Sequence, residues 1–171
     1  KILEHLGYPV FYSDDVAKEI YADSAIQQRV CLAVGNIDFK SKNWKSQLAE
    51  IIFSDPTKKH ALETIIHGEV ALRFTTWKLS QKKSVLFKES ALIETFKPEN
   101  TNQLWIVEAP IEVRFKRVEK RSNLSREEFS QRDSFQSDSN EHFKGQSIRF
   151  TNDGIEALLP QIEKALNNLR D

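Results

Sequence analysis

Three groups of residues have the types and spacing to do chemistry. The first is Tyr12-Ser13-Asp14-Asp15-Val16-Ala17-Lys18, which directly follows a short apolar, β-rich run. In open α/β sheets, ligands gather beyond the carboxyl ends of the strands. A carboxylate placed there, Asp14, can accept a proton from an attacking hydroxyl or help to hold a Mg²⁺ shell. It can equally be a helix N-cap, and the two roles are compatible. The second group is Arg114 to Arg132, with seven basic residues (Arg114, Lys116, Arg117, Lys120, Arg121, Arg126, Arg132) against three acidic ones (Glu119, Glu127, Glu128). Arg117 and Arg121 stand four apart, so both lie along one helix face. Guanidinium forks suit phosphate oxygens because the planar group pairs them bidentately. A solvated, charged helical hairpin has the same composition, and that reading stays open. The third group is looser. His67 lies in a helical run, where a lone histidine is as readily structural, and Glu89 closes an apolar stretch, where a Walker B-type acid would sit.

These residues need elements to position them. Short β-rich runs alternate with longer helical patterns, which is the signature of parallel strands joined by helices. The strand candidates are residues 9–12, 84–87, 104–108 and 147–150. Residues 1–6 ending at Gly7 read as the last turns of a helix with a glycine C-cap. Asp14 and Ser24 are the expected caps of two further helices. Asp55-Pro56 is an N-cap followed by proline at the first helical position, opening a helix that reaches Lys78. Leu62, Ile65, Ile66, Val70 and Phe74 recur along it at helical spacing. Within the basic segment, Ser125 and Glu128 have the spacing of a capping box, so two short helices meet at Leu124-Ser125. A C-terminal helix is expected over 154–169. The organisation expected is an α/β core of residues 1–23, 84–113 and 146–171, a helical sub-domain at 24–83 and a small helical lid at 114–145.

Composition removes several function classes. The 171 residues carry 25 Lys plus Arg against 25 Asp plus Glu, so no global field draws nucleic acid or an anionic membrane. Cys31 is the single cysteine, which excludes an internal disulfide and leaves no Cys/His zinc pattern. No apolar run approaches the ~20 residues of a membrane span. A soluble, cytoplasmic setting is expected. The chain opens at Lys1 and holds no Met. We therefore expect residues to precede Lys1 and methionines to be missing from within the run.

Taken together, these pieces resemble the dephospho-coenzyme A kinase family, a group of P-loop kinases, over nearly the whole chain. Gly7-Tyr8-Pro9-Val10-Phe11 followed by Asp14, Ala17 and Lys18 is similar to the family's second strand and its Asp-Ala-Asp-x-x-Ala segment. Tyr12 stands in place of the first Asp. Leu48 to Phe53, Asp55-Pro56 and His67 resemble the family's Leu-x-x-x-x-Phe and His-Pro stretch, with Gly68 in place of Pro and Lys45 where a substrate-side Arg is usual. Glu89-Ser90-Ala91-Leu92-Ile93-Glu94 resembles its acid-x-Pro/Ala-Leu-Leu-Phe-Glu motif, one residue short. The most specific match is the lid, Arg117-x-x-x-Arg121-x-x-Leu124-Ser125 with Arg132 and Gln136. Asn152-Asp153-Gly154 matches the closing turn, with His142 and Gln146-Ser147 departing from the pattern before it. The family's Gly-x-x-x-x-Gly-Lys-Ser/Thr loop, which lies just before the helix ending at Gly7, is expected ahead of Lys1.

The resemblance implies a three-layer α/β P-loop kinase fold with a parallel sheet, a helical substrate-binding insertion and a helical lid. It implies transfer of the ATP γ-phosphoryl group to the ribose 3′-hydroxyl of dephospho-CoA, with Mg²⁺ bridging phosphates. Asp14 and Arg121 would be catalytic. Arg117, Arg121, Arg132 and Asn152 would bind ATP, and Asp14, Lys45, His67 and Glu89 the substrate. No residue is assigned outright to a metal, and a monomer or weak oligomer is expected. A nucleoside or nucleotide monophosphate kinase of the same group is the near alternative. A non-catalytic binding module without the phosphate loop is the alternative from another class.

Overall fold

The computed structural model describes residues 1–91, 101–122, 124–137 and 146–169, with the side chains of 132 and 134–137 outside the described set. The chain divides into two compact units, Lys1–Ala91 and Leu92–Asp171.

In the first unit, α1 (Ile2–His5) ends at Gly7, whose φ of 81° is cheap only without a Cβ. The Gly7 N–H donates to the Glu4 carbonyl and the Tyr8 N–H to the Leu3 carbonyl. This is the two-bond Schellman closure, and it delivers the chain into β1 (Val10–Tyr12). Strand β1 pairs in parallel with β2 (Phe87–Glu89), in the register Val10 to Phe87, Phe11 to Lys88 and Tyr12 to Glu89. The second strand thus lies three residues later than the 84–87 expected. Apolarity marks Val85 and Leu86 as strand-like, but their pairing partner runs out: the ladder begins at the Pro9 carbonyl, and proline has no N–H to extend it backwards.

Between the strands come α2 (Ser13–Ile20), α3 (Ser24–Val34), α4 (Trp44–Ser54) and α5 (Pro56–Ser80). The long α5 is the post against which the other three pack. Ile26, Val30 and Val34 of α3 and Leu62, Ile66 and Val70 of α5 recur every fourth residue and are buried. Each such side chain contributes about 1.5–3 kcal/mol on burial. The ion pairs along the same contact, Arg29 with Glu69 and Arg73 with Glu69 and Asp23, are partly exposed and contribute about 0–1 kcal/mol each. Burial therefore holds the helices together and the charges set their rotation. Asp55 caps α5 as its sequence suggests, its carboxylate accepting from the N–H groups of Thr57 and Lys58. Two caps differ from expectation. Tyr12 is the N-cap of α2, so Asp14 sits inside its first turn. Asp23 rather than Ser24 caps α3, accepting from Ala25 N–H.

In the second unit, β3 (Gln103–Glu108) pairs in parallel with β4 (Gln146–Thr151) over six residues, Gln103 to Gln146 through Glu108 to Thr151. Helices α6 (Ile111–Ser122) and α7 (Arg126–Ser137) form the hairpin read from the basic segment. Helix α8 (Leu158–Asn167) docks on β4, burying Ile162, Ala165 and Leu166 on the side of Phe150, while Phe129 of α7 packs on Phe115 of α6. It starts later than the expected 154 because Gly154, at φ 88°, belongs to a turn after β4.

Candidate active site

Residues from three neighbouring places meet where β1 and β2 end side by side. Tyr12 and Glu89 are register partners, and α2 starts immediately after Tyr12. Asp14 and Asp15 occupy the first turn of α2, where the positive end of the helix dipole favours carboxylates. Asp15 is bound by Lys18 at 2.7 Å, one turn further on. The Glu89 carboxyl is held above its ordinary range, first by partial burial and then by the negative charges of Asp14 and Asp15, with Lys18 acting in the opposite sense. The two predicted acids, Asp14 and Glu89, thus share one electrostatic site. Tyr12 donates to Glu4 at 2.7 Å, and that bond is the main reason its phenol is pushed up to about 12.

Lys88 is a residue the sequence reading missed. It shares its strand face with Phe11, and its Nζ lies 4.7 Å from the centre of the Phe74 ring. Burial depresses its ammonium to about 8. Period-two alternation from Phe11's partner strand would have found it, once the register was known. Phe74, Trp77 and Phe11 form one aromatic group around this face. A cavity of about 340 Å³ opens alongside, walled by Phe11, Tyr12, Asp15, Val16, Glu19 and Trp77.

Ser13, between Tyr12 and Asp14, is 1% exposed and its Oγ has no hydrogen-bond partner among the described residues. A buried unpaired hydroxyl carries a desolvation cost of about 1–3 kcal/mol. Ser13→Ala is therefore expected to raise the unfolding free energy by about 1 kcal/mol, read from urea denaturation. A loss of similar size would mean that the hydroxyl is partnered in solution and would remove this account.

Lys45 is exposed at the start of α4, its Nζ 5.5 Å from the Trp44 ring centre. Trp44 groups with Tyr21 and Phe39. His67 is half-buried on α5. Neither Lys45 nor His67 enters the Asp14–Glu89 pair. Among the described residues no group of three or more His, Cys, Asp or Glu side chains is placed to hold a metal ion. Glu89, at the carboxyl end of β2, is an oxygen donor of the kind Mg²⁺ takes beside phosphate oxygens and waters.

In the second unit the arginines divide by partner. The Ser125–Glu128 capping box forms reciprocally, Glu128 N–H to Ser125 Oγ at 3.2 Å and Ser125 N–H to Glu128 Oε2 at 2.9 Å. Arg126 reaches back across it to both carboxylate oxygens of Glu112 and covers the Phe115 ring. Arg114 pairs with Asp133 and donates to the Ala109 carbonyl at 3.0 Å. These two arginines tie the hairpin together. Arg117 instead holds Asn152, donating to its main-chain oxygen at 2.9 Å and its side-chain oxygen at 3.2 Å. Asn152 itself is anchored by its N–H to the Glu108 carbonyl at 2.7 Å. Arg121, exposed one turn beyond Arg117, has no ion pair among the described residues. Arg132 and Gln136 fall on α7, but their side chains lie outside the described set, as do Leu92, Ile93, Glu94 and His142 entirely.

The comparisons with known proteins agree with one another. The family model described as dephospho-CoA kinase matches residues 1–157. A dephospho-CoA kinase of Bacteroides fragilis is 34% identical over 166 residues, covering 94% of this chain and 80% of that protein. One from Thermus thermophilus is 30% identical over 171 residues, covering 96% and 79%. A crystal structure from Thermus thermophilus superimposes with a TM-score of 0.76 at 27% identity, covering 98% of this chain and 86% of that one. With acids at adjoining strand ends, an arginine-bearing helix pair and these relatives in agreement, the chain belongs to the dephospho-CoA kinase family.

Proposed function

We propose that Asp14, Arg121 and Asn152 are the working residues of phosphoryl transfer from ATP to the 3′-hydroxyl of dephospho-CoA. The hydroxyl oxygen bonds to the γ-phosphorus as the bond from that phosphorus to the β-bridging oxygen breaks. ADP leaves, and the hydroxyl proton passes to the Asp14 carboxylate. Such transfers ask the protein mainly for positioning and for charge neutralisation. The observation that carries this reading is Glu89 closing β2 beside Tyr12 at the end of β1, with Asp14 in the first turn of the helix that follows, where a hydroxyl acceptor would be oriented.

Arg121 is assigned to the transferring phosphate because its guanidinium is exposed and makes no ion pair among the described residues. Asn152, on the turn after β4, is assigned to the adenine end of ATP. The helical segment 24–83, with Lys45 and His67, is assigned to the rest of the dephospho-CoA molecule, and 114–145 to the lid. Glu89 would hold Mg²⁺ jointly with phosphate oxygens. When bound, the ion neutralises charge on the phosphates. The even charge balance accords with a cytoplasmic enzyme, monomeric or weakly associating, that engages neither nucleic acid nor membrane.

The test is ADP release by the full gene product, with dephospho-CoA compared against a panel of nucleosides and nucleoside monophosphates. Turnover confined to dephospho-CoA is expected. Preferential phosphorylation of a nucleoside monophosphate would replace this reading with a nucleotide kinase.

A further inference from the structure

We propose that Arg117 is a positioning residue for the adenine end of ATP rather than a ligand of its phosphates, and that α6 is thereby laid along the nucleotide. The inference rests on the reading above, in which the turn after β4 receives the base.

The guanidinium of Arg117 is committed at both ends of its fork. Nη1 donates to the main-chain oxygen of Asn152 and Nη2 to its side-chain oxygen. One residue therefore loses both its backbone and its amide freedom to a single planar cation. The neighbouring positions complete the seat. Nη2 lies 3.8 Å from where a Cβ on Gly154 would stand. Asp153, whose carboxylate is held below its usual range first by the N–H groups of Glu156 and Ile155, also feels the Arg117 charge. Asp153 accepts from those two N–H groups at 2.9 and 2.8 Å, which closes the turn on its other side. Asn152 is in turn fixed to the end of β3 through Glu108. Arg117 thus links α6 to a turn that the two parallel strands already hold.

The end-on pair of N–H donors in this fork goes to the turn rather than to a triphosphate. Its consequence is instead geometric. With Arg117 pinned to the turn, Arg121 follows one turn along α6, displaced by about 6 Å for four residues at ~1.5 Å each. Its side chain points along the same face. The base end and the phosphate end of one nucleotide then correspond to two successive positions on one helix. Arg117 sets where the base-contacting Asn152 lies, while α6, held also by the Arg114–Asp133 and Arg126–Glu112 pairs, carries Arg121.

The two roles predict different kinetics. In Arg117→Ala and Arg117→Lys the KM for ATP is expected to rise about 10- to 100-fold, the scale of lost charged hydrogen bonds, with kcat within about threefold. Lysine keeps the charge but not the fork, so it should not rescue. Discrimination between ATP and GTP should relax in both variants. Asn152→Ala should raise KM for ATP likewise, and combining it with Arg117→Ala should add little, since both remove one interaction.

The measurement is steady-state kinetics of the full gene product, wild type and variants, with ATP and GTP varied at saturating dephospho-CoA. Tryptophan-monitored binding of ATP to each variant serves as a second readout where turnover is poor. A fall in kcat with unchanged KM, or recovery in Arg117→Lys, would make Arg117 a phosphate ligand and overturn the inference alone. Loss of thermal stability with unaltered ATP affinity and nucleotide preference would make it purely structural and overturn it too. A wild type that transfers nothing from ATP to dephospho-CoA overturns the functional reading, and this inference with it.

Discussion

Replacing Arg121 by alanine is expected to lower kcat by about 10³-fold while leaving the fold intact, the low end of what one transition-state arginine contributes to phosphoryl transfer. Three features lead to that size. Arg121 is exposed and takes no part in the ion pairs that close the hairpin, so its removal costs little stability. It lies on the same face of α6 as Arg117, which is held at the Asn152 turn. Its fork matches the equatorial oxygens of a transferring phosphoryl group. Arg121→Lys should recover about tenfold, since a point charge neutralises but does not orient. Steady-state kinetics with ATP and dephospho-CoA, beside thermal unfolding, checks both halves. A kcat within threefold of wild type in Arg121→Ala would remove Arg121 from the reaction.

Why Arg121 is available while Arg114, Arg117 and Arg126 are not was beyond the sequence. In sequence the cations form one basic cluster, because all seven sit within a short window. The structure separates them by partners that lie well away along the chain: Glu112 is 14 residues from Arg126, and Asp133 is 19 from Arg114. What was legible is whatever chemistry closes within a few residues. Asp55-Pro56 as a helix start, Ser125 with Glu128 as a capping box and Gly7 as a helix stop all depend on local hydrogen bonds, and all are present. The Asp14 cap failed for a related reason. An acid in the first turn satisfies the helix dipole almost as well as one at the cap, so residue type alone does not separate the two positions. The second strand failed because register belongs to a pair. Val85 and Leu86 are as strand-like as Phe87, and only the proline at the head of β1 decides which of them finds a partner. The site itself was half legible. Glu89 follows from a strand ending in an acid and Asp14 from an acid just beyond one, whereas the contact of Arg117 with Asn152 joins residues 35 apart and follows from no local pattern.

Asp14→Asn is the variant that separates chemistry from position at the strand ends. The amide keeps the size of the side chain and cannot take the proton of the acceptor hydroxyl. A positioned acid or base contributes about 10²–10⁴-fold, and a loose transition state draws on the lower half of that range. A fall in kcat of about 10²- to 10³-fold is therefore expected, with KM for ATP little changed because the nucleotide turn is elsewhere in the chain. The same substitution has a second, independent reading. Glu89 is held above the ordinary carboxylate range by partial burial first and by the Asp14 and Asp15 charges next. Neutralising Asp14 removes one of the two charges, so the Glu89 carboxyl should titrate lower in Asp14→Asn than in wild type. It should not return to its ordinary value, since burial and Asp15 remain. The sign also fixes what Glu89 does to stability: a raised carboxyl costs stability above its folded pKa, and the cost vanishes as pH falls below the unfolded value. Carboxyl-carbon NMR titration reads the shift directly and needs no turnover. If kcat falls but Glu89 titrates as before, Asp14 acts on the substrate from a place that Glu89 does not share, and the joint site is wrong. If Glu89 shifts but kcat stays within threefold, the two acids share a site and Asp14 is not the base.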